Sequence, residues 1–186
     1  MRLEIFDFID STMDLIGEYE EVIKEGEHEL EDFFEELFLQ EDNVLNIVSR
    51  VKSKNSLKEK ILRQDFYLKY KSPENLVENL SDLIGVRIEC RFIEDEKDVY
   101  ERVLEIFNIH EGRGYYYNEE KPNILLKLDD KQPQTQKNGF GIYKIDGIYK
   151  SGEESVNFEL QIQSLVNVFW GEVEHKVLYK NYKYLL

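Results

Sequence analysis

The chain has 186 residues, of which 41% are hydrophobic and 34% are charged, as in an ordinary folded domain. Its formal net charge of −15 argues against nonspecific binding to nucleic acids or anionic membranes. The single cysteine, Cys90, excludes an internal disulfide and a cysteine-built zinc site, and its apolar neighbours predict a buried, unreactive thiol. No apolar run reaches the roughly 20 residues that span a bilayer, and the acidic first residues do not resemble a signal peptide. We therefore expect a cytoplasmic protein that does not bind membranes.

The charges are unevenly distributed along the chain. Residues 1–42 contain 16 acidic and 2 basic side chains, whereas residues 50–71 contain 8 basic and 2 acidic ones. A basic segment within an acidic chain is compatible with a local site for a polyanion. It is equally compatible with a solvated helix face, and composition alone does not separate the two interpretations.

Apolar residues recur at three- and four-residue steps through the first third of the chain, which predicts helices. They form three successive stretches, at 5–23, 30–38 and 44–51. The polar run SKNS then interrupts the pattern, and Ser56 is the expected N-cap of a helix that extends to Tyr70. A short helix is expected to follow Ser72 and Pro73.

The apolar period changes to two at GVRIECRF (85–92), which predicts a strand whose apolar face runs from Val86 to Phe92. Helical spacing returns over residues 95–108. The remaining predicted elements are strands at 114–118, 123–128, 140–150 and 155–163, a mobile polar loop at 129–139 and a helix at 165–179.

Helices followed by a sheet with interspersed helices are typical of an α+β domain. We expect a mixed, largely antiparallel sheet of about five strands flanked by helices. We expect residues 1–43 to form an acidic helical extension that packs on the domain, and residues 44–186 to form the domain itself.

The first group of residues that could carry chemistry is basic. It consists of Arg50, Lys52, Ser56, Lys60 and Arg63. Arginine forks bind phosphate oxygens in pairs and lysines act as point charges, so this cluster could hold a triphosphate.

Two further groups are acidic. Asp82 lies three residues before Gly85, and Glu159 shares the polar face of a predicted strand with Gln161. Carboxylates from two separate strands would make a hard oxygen site suited to Mg²⁺. On spacing alone, Asp82 is more simply explained as a helix or turn cap, and the polar face around Glu159 as the solvent face of an antiparallel sheet.

The fourth group is FWGEVEHKVLYK (169–180), in which His175 lies one helical turn before Tyr179. A single helical histidine is more often a hydrogen-bonded packing residue than a catalyst.

In this order, the four groups resemble the synthetase domain of RelA/SpoT proteins, most closely that of the small stand-alone alarmone synthetases. The matching segments are RVKSKNSLKEK (50–60), DLIGVRI (82–88), ELQI (159–162) and FWGEVEHKVLYK (169–180). Four motifs in the family's order make a specific signal over roughly residues 44–182. The resemblance implies the nucleotidyltransferase-like synthetase fold.

The resemblance implies a GTP pyrophosphokinase. ATP, bound with Mg²⁺, would donate pyrophosphate to the 3′-hydroxyl of GDP or GTP, giving AMP and (p)ppGpp, the alarmone of the stringent response. The implied ATP-binding residues are Arg50, Lys52, Ser56, Lys60, Arg63 and Arg87, and the implied metal ligands are Asp82 and Glu159. The implied acceptor-binding residues are Lys137, Phe140, Lys144, Gln161 and His175. The implied catalytic residues are Asp82, Glu159, Arg50, Lys52 and Gln161, with Glu159 as the candidate base. Stand-alone relatives often form tetramers, so the resemblance also favours a homo-oligomer.

The sequence departs from the family on the acceptor side. The family's Gly-Tyr-x-Ser-x-His aligns with residues 139–144, where Phe140 replaces the tyrosine and Ile142 and Lys144 replace the serine and histidine. Phe140 can still stack on a base, but Ile142 and Lys144 cannot reproduce the hydrogen bonds of serine and histidine. The identity of the acceptor therefore stays open.

Two alternatives remain beside GDP or GTP as acceptor. The same donor chemistry could serve an adenine nucleotide or a tRNA 3′ end, as in related toxins, although the charge of −15 argues mildly against tRNA. The fold could also persist as an inactive regulatory or interaction domain. Joint retention of Arg50, Lys52, Asp82 and Glu159 counts against an inactive domain.

Overall fold

The structure is a computed structural model that describes residues 2–38, 40–135, 139 and 141–174. Within these ranges the helices are α1 (Arg2–Glu18), α2 (Glu20–Phe38), α3 (Lys54–Arg63), α4 (Phe66–Lys69), α5 (Pro73–Asn79), α6 (Asp95–Ile106) and α7 (Leu165–Glu174). The strands are β1 (Val44–Val51), β2 (Ile84–Cys90), β3 (Ile109–Gly112), β4 (Tyr115–Asn118), β5 (Lys121–Lys127), β6 (Gln134–Thr135), β7 (Gly141–Ser151) and β8 (Glu154–Ser164).

The strands form one mixed sheet in the order β1-β2-β8-β7-β5-β4-β3, and β6 pairs with β7 beside this path. The β2–β8 pair is parallel, and the other pairs are antiparallel. The expected α+β class with a mixed, largely antiparallel sheet is confirmed. The expectation of about five strands is wrong, because the sheet has eight strands within the described residues. The predicted strands correspond to β2, β4, β5, β7 and β8. Of the three others, β3 and β6 have only four and two residues and are too short to show an alternating pattern.

The third apolar stretch of the N-terminal region is a strand, although its neighbours predicted a helix. Residues 44–51 form β1, which pairs along its length with β2. The segment is rich in β-branched residues, and its Ile47 is buried. A short apolar run does not distinguish a strand from a helix, so pairing with β2 settles the conformation.

The helix expected from Ser56 to Tyr70 is two helices with an earlier start. Ser53 is the N-cap of α3, and its Oγ accepts a hydrogen bond of 3.2 Å from the backbone N–H of Ser56. Asp65 adopts a left-handed conformation with φ of 52°, which separates α3 from α4. The expected loop at 129–139 likewise contains the short strand β6.

Helix α2 packs against one face of the sheet. Its buried residues include Leu30 and Phe34, and Phe34 stacks on Phe107 at the end of α6. Gly26 permits the close approach of helix and sheet, because a Cβ there would lie 2.7 Å from the ring of Tyr149 in β7. The same core cluster contains residues of α1, α2, α3, α5, α6 and the sheet.

The apolar face of β2 is shorter than the sequence predicts. Cys90 is 0% exposed, as expected, but β2 ends there and Phe92 is 60% exposed. None of the described helices is long and apolar enough to cross a membrane.

Candidate active site

The sheet register places four residues in one row across its polar face. Arg50 pairs with Gly85, Gly85 pairs with Glu159, and Glu159 pairs with Asp146. Ser49 donates a hydrogen bond to Glu31 of α2, so its neighbour Arg50 projects from the opposite face. The row therefore lies on the face that points away from α2, which we call the polar face.

A second row lies beside the first on the polar face. Arg87 of β2 pairs with Gln161 of β8, and Gln161 pairs with Lys144 of β7. Each of these residues is two positions away from a member of the first row, so all project from the same face. Strand alternation thus brings five of the predicted site residues, Arg50, Arg87, Lys144, Glu159 and Gln161, onto one surface.

Asp82 lies just before β2 and is bound by two lysines. Lys52 and Lys60 both donate hydrogen bonds to its Oδ2, the second at 2.8 Å. The backbone N–H of Lys52 also donates to the carbonyl of Leu83 at 2.9 Å, which fixes the chain after β1 against the chain before β2. Burial raises the pKa of the Asp82 carboxyl, but the hydrogen bonds from Lys52 and Lys60 outweigh burial and hold the pKa below its ordinary value.

Glu159 is buried at 6% exposure and is bound through both oxygens. Lys144 Nζ lies 2.6 Å from its Oε2, and the side-chain amide of Gln161 donates to its Oε1. Burial lowers the pKa of the Lys144 ammonium, but the charge of Glu159 and its hydrogen bond outweigh burial, so the pKa is raised.

The two carboxylates belong to one electrostatic site. The charge of Asp82 acts with that of Glu159 to raise the pKa of Lys144. Glu159 likewise acts on Lys52, although burial has the larger effect and leaves the pKa of Lys52 lowered. Each carboxylate is thus close enough to act on a lysine that binds the other, although Asp82 and Glu159 lie 77 positions apart in the sequence.

The donor set fits a hard divalent cation held jointly by protein and nucleotide. Oδ1 of Asp82 is buried and has no hydrogen-bond partner among the described residues, so it is available to a ligand. The described residues contain no group of three or more acidic, histidine or cysteine side chains that could hold a metal alone. Mg²⁺ is often bound by one or two carboxylates together with substrate phosphates, and two carboxylates meet that need.

The other predicted ATP-binding residues lie on α3, β1 and β2. Ser56 is in the first turn of α3, where its Oγ accepts a 2.9 Å hydrogen bond from the hydroxyl of Ser53. Arg63 is exposed at the end of α3, and Arg50 is exposed on β1. Arg87 pairs with Glu89 on its own strand at 3.5 Å.

The structure adds one acidic residue that the sequence reasoning missed. Asp146 lies directly opposite Glu159 in the first row and is partly buried. Burial raises the pKa of its carboxyl, and the neighbouring Glu159 raises it further. The signal was present in the alternation of β7, which places Lys144 and Asp146 on one face, but only pairing with β8 identifies that face.

The acceptor side is described in part. Lys144 and Gln161 lie in the second row, next to Glu159. The predictions for Lys137, Phe140 and His175 fall outside the described residues. Ile142, which aligns with the family's serine, is buried at 6% exposure.

A shallow pocket of about 300 Å³ lies elsewhere, between the end of α2 and α6. Its lining residues are Phe38, Glu41, Asn43, Asp98, Val99, Glu101, Arg102 and Glu105. Four carboxylates against one guanidinium would repel the phosphates of a nucleotide, and none of the predicted site residues lines this pocket.

Two curated relatives are similar in sequence. GTP pyrophosphokinase YjbM of Bacillus subtilis (strain 168) is 28% identical over 144 residues, which are 74% of this chain and 56% of the relative. GTP pyrophosphokinase YwaC of the same organism is 29% identical over 136 residues, which are 71% of this chain and 57% of the relative. The chain thus spans a little more than half of the length of these relatives.

Solved structures share the fold. The crystal structure of small alarmone synthetase 1 from Bacillus subtilis matches with a TM-score of 0.65 at 23% identity, over 90% of this chain and 81% of that chain. A second crystal structure of that protein, bound to its product pppGpp, matches with a TM-score of 0.60 at 23% identity, over 86% of this chain and 77% of that chain.

The model of the region found in RelA/SpoT proteins matches residues 49–184, a span that contains both site carboxylates and every lysine bound to them. On the strength of this match and the shared fold, the chain belongs to the RelA/SpoT family.

Proposed function

We propose that this protein transfers pyrophosphate from ATP to the 3′-hydroxyl of GDP or GTP, giving AMP and (p)ppGpp in a Mg²⁺-dependent reaction. The observation that carries the proposal is a pair of lysine-bound carboxylates, Asp82 with Lys52 and Lys60 and Glu159 with Lys144, each of which acts electrostatically on a lysine of the other. The names of the two sequence relatives support the same reaction.

The donor half of the site would bind and orient the triphosphate of ATP. Lys52 and Lys60 would contact the phosphate oxygens. Arg50 lies in the first row with Glu159, and Arg87 lies in the second row beside it. Ser56 and Arg63 extend this basic surface along α3. Asp82 and Glu159 would hold Mg²⁺, which neutralises charge on the phosphate oxygens when bound. Phosphoryl-type transfer depends mainly on such positioning and charge stabilisation.

The acceptor hydroxyl would attack the β-phosphorus of ATP in line with the bond to the α-phosphate oxygen. That bond breaks, AMP leaves with its electrons, and the hydroxyl proton passes to a carboxylate, for which Glu159 is the candidate. Gln161 and Lys144 would position the acceptor from the second row, together with Lys137, Phe140 and His175.

The acceptor can be identified with ATP labelled on its γ-phosphate. The protein is incubated with this ATP, Mg²⁺ and, separately, GDP, GTP, unlabelled ATP or tRNA, and the products are separated. We expect the label on GDP or GTP. Label on an adenine nucleotide or on tRNA would replace the proposed acceptor, and no transfer to any of them would favour an interaction domain.

The two carboxylates can be tested by substitutions of matched shape. Asp82→Asn and Glu159→Gln should each lower the transfer rate by at least a factor of about 100, because each removes a negative oxygen from the proposed metal site. Asp10→Asn is the control, since Asp10 forms an exposed ion pair with Lys58 at 3.4 Å and should not affect transfer. Near wild-type turnover in either site variant would refute the metal assignment.

We further propose a cytoplasmic location, where ATP and GTP are both supplied, and a homo-oligomeric state. The division into a helical extension at 1–43 and a synthetase domain at 44–186 also stays a proposal. It is supported by the family match beginning at residue 49.

A further inference from the structure

The two site carboxylates differ in how their oxygens are occupied. Asp82 accepts both of its lysine hydrogen bonds on Oδ2, and its buried Oδ1 has no partner among the described residues. Glu159 has no such vacancy, because Lys144 binds Oε2 and Gln161 binds Oε1. A cation that arrives at this site therefore finds an oxygen without a partner on Asp82, whereas at Glu159 it must compete with the ammonium of Lys144.

We infer that Lys144 is a tethered cation that holds Glu159 until a divalent metal ion replaces it, and that the displaced ammonium then binds a phosphate of the acceptor nucleotide. This inference rests on the proposed function, in that it couples the binding of the metal ion to the binding of the acceptor. Lys144 is thus a positioning residue for the metal ligand and a specificity residue for an anionic acceptor.

Burial explains why Glu159 needs a substitute cation. The Glu159 side chain is 8% exposed, and a charged group taken out of water is costly unless an opposite charge accompanies it. Lys144 supplies that charge at 2.6 Å, whereas Gln161 supplies only a neutral amide. Removing the ammonium without a metal would leave Glu159 buried beside Asp146, another carboxylate, which lies opposite it in the sheet.

The surroundings of Lys144 allow the exchange. Its side chain is 38% exposed, so its ammonium can turn toward solvent on a flexible four-carbon stem. Its backbone lies in the second row of the polar face, beside Gln161 and in line with Arg87. An ammonium released from Glu159 would therefore add to a surface that already presents an arginine and an amide, and such groups bind phosphate oxygens.

Binding of the two ligands should then be coupled. A metal ion bound to Glu159 would release Lys144, which could then bind the acceptor. An acceptor bound to Lys144 would in turn leave Glu159 available to the metal ion. Coupling of this kind is reciprocal, so each ligand should raise the affinity for the other by the same factor.

The first experiment measures Mn²⁺ binding by electron paramagnetic resonance in the presence of an ATP analogue whose α,β-bridging oxygen is replaced by a methylene group, because the donor set fits a cation held jointly by protein and nucleotide. Lys144→Met keeps an unbranched stem that matches lysine up to Cε and removes the charged ammonium, so we expect Mn²⁺ to bind about tenfold more tightly or better. Lys150→Met is the matched control on the same strand, because Lys150 pairs with Glu111 at 3.2 Å away from both carboxylates. Glu159→Gln combined with Lys144→Met should lose the gain.

A merely structural role for Lys144 gives a different result. In that case Lys144→Met would lower the melting temperature without changing the affinity for Mn²⁺. Equal affinity in the wild type and Lys144→Met, or no binding by either protein, overturns the inference. If Lys144→Met does not fold, Lys144→Arg replaces it. An arginine fork should hold Glu159 more firmly and weaken Mn²⁺ binding, and unchanged or tighter binding would count against the exchange.

The second experiment tests the coupling. GDP binding is titrated with and without Mg²⁺ and an ATP analogue whose α,β-bridging oxygen is replaced by a methylene group. GDP should bind more tightly in their presence to the wild type, and this difference should shrink at least fivefold in Lys144→Met. Failure of the proposed function would give a different result. The wild type would not transfer pyrophosphate, whereas Lys144→Met would still bind Mn²⁺ more tightly than the wild type does.

Discussion

Some titratable side chains near β2 and β8 are buried beside a group of opposite charge, and one is buried without such a group. The presence of that group determines which protonation state burial favours. Asp82 and Glu159 are each bound by lysine, so their negative charges are compensated in the fold. Cys90 has no such partner and is 0% exposed at the end of β2. Burial therefore raises the pKa of the Cys90 thiol to about 12, with a further contribution from Glu96. Asp82 and Glu159 are thus charged groups with charged partners, whereas Cys90 is an apolar part of the core.

The pKa of Cys90 predicts how stability changes at alkaline pH. In the folded chain the thiol keeps its proton up to about pH 12, whereas the ordinary pKa is 9.0. The contribution of the protonated thiol is complete below pH 9 and decreases as the pH rises toward 12. In urea unfolding at pH 8, 9.5 and 10.5, the stability advantage of the wild type over Cys90→Ala should shrink steadily. A constant difference would show that Cys90 ionises alike in both states.

Among the elements, the connection from β1 to α3 has the closest relation to the proposed donor site. β1 positions Arg50 at the sheet edge, the next residues deliver Lys52 to Asp82, and α3 delivers Lys60 to the same carboxylate. The N-cap of α3, Ser53, fixes where the helix begins and so where Lys60 projects. A break of the helical pattern at SKNS is visible in the sequence, but two serines in that run could serve as the cap.

Replacing the serine N-caps of α3 and α5 in turn distinguishes an effect on the free energy of unfolding from an effect on the geometry of the proposed ATP site. Ser53→Ala and Ser72→Ala each remove a side-chain acceptor from a helix N-terminus, of α3 and α5 respectively, and should each cost about 1 kcal/mol. Only Ser53→Ala should also raise the KM for ATP, by about two- to tenfold, because α3 carries Lys60. Urea unfolding and steady-state kinetics of both variants provide the comparison. An equal KM effect in both would indicate general loosening of the fold.

The protein as a unit is organised around a sheet that has α2 on one face and the charged rows on the other. Phe34 of α2 is 0% exposed and contacts both Phe33 and Phe107. Because one core cluster contains residues of α1, α2 and the sheet, we expect the N-terminal helices and the sheet to unfold together.

Phe34→Ala tests this cooperativity. Loss of a fully buried phenylalanine should lower the free energy of unfolding by about 3–5 kcal/mol. Unfolding followed by far-ultraviolet circular dichroism and by tyrosine fluorescence should still give coincident transitions. Phe6→Ala is the control, since Phe6 is 54% exposed and should cost below about 1 kcal/mol. Two separate transitions would mean that the N-terminal helices form an independent unit.

Much of the fold could be predicted because long periodic segments carry their own signal. The alternation in β2, β7 and β8 and the helical spacing in α2 and α6 all match the structure. The strands β3 and β6 are too short to carry a periodic signal, and the strand character of β1 depends on pairing with β2, which lies far away in the sequence. Local sequence contains little information about such pairing.

The same distinction applies to the candidate site. Residue types, motif order, strand alternation and the family resemblance predict Asp82, Glu159, Arg50, Lys52 and Lys60 as site residues, because phosphate and metal chemistry needs such groups, and their roles stay predictions. Sequence could not show that Lys52 and Lys60 share one oxygen of Asp82, that Lys144 occupies Glu159, or that Asp146 lies opposite Glu159. The contacts of Glu159 arise from the register of β7 with β8, whereas those of Asp82 arise from the pairing of β1 with β2 and from the position of α3. β1, β2 and β8 are far apart in the chain, and their pairing is fixed by the packing of the completed core, which no short segment specifies alone.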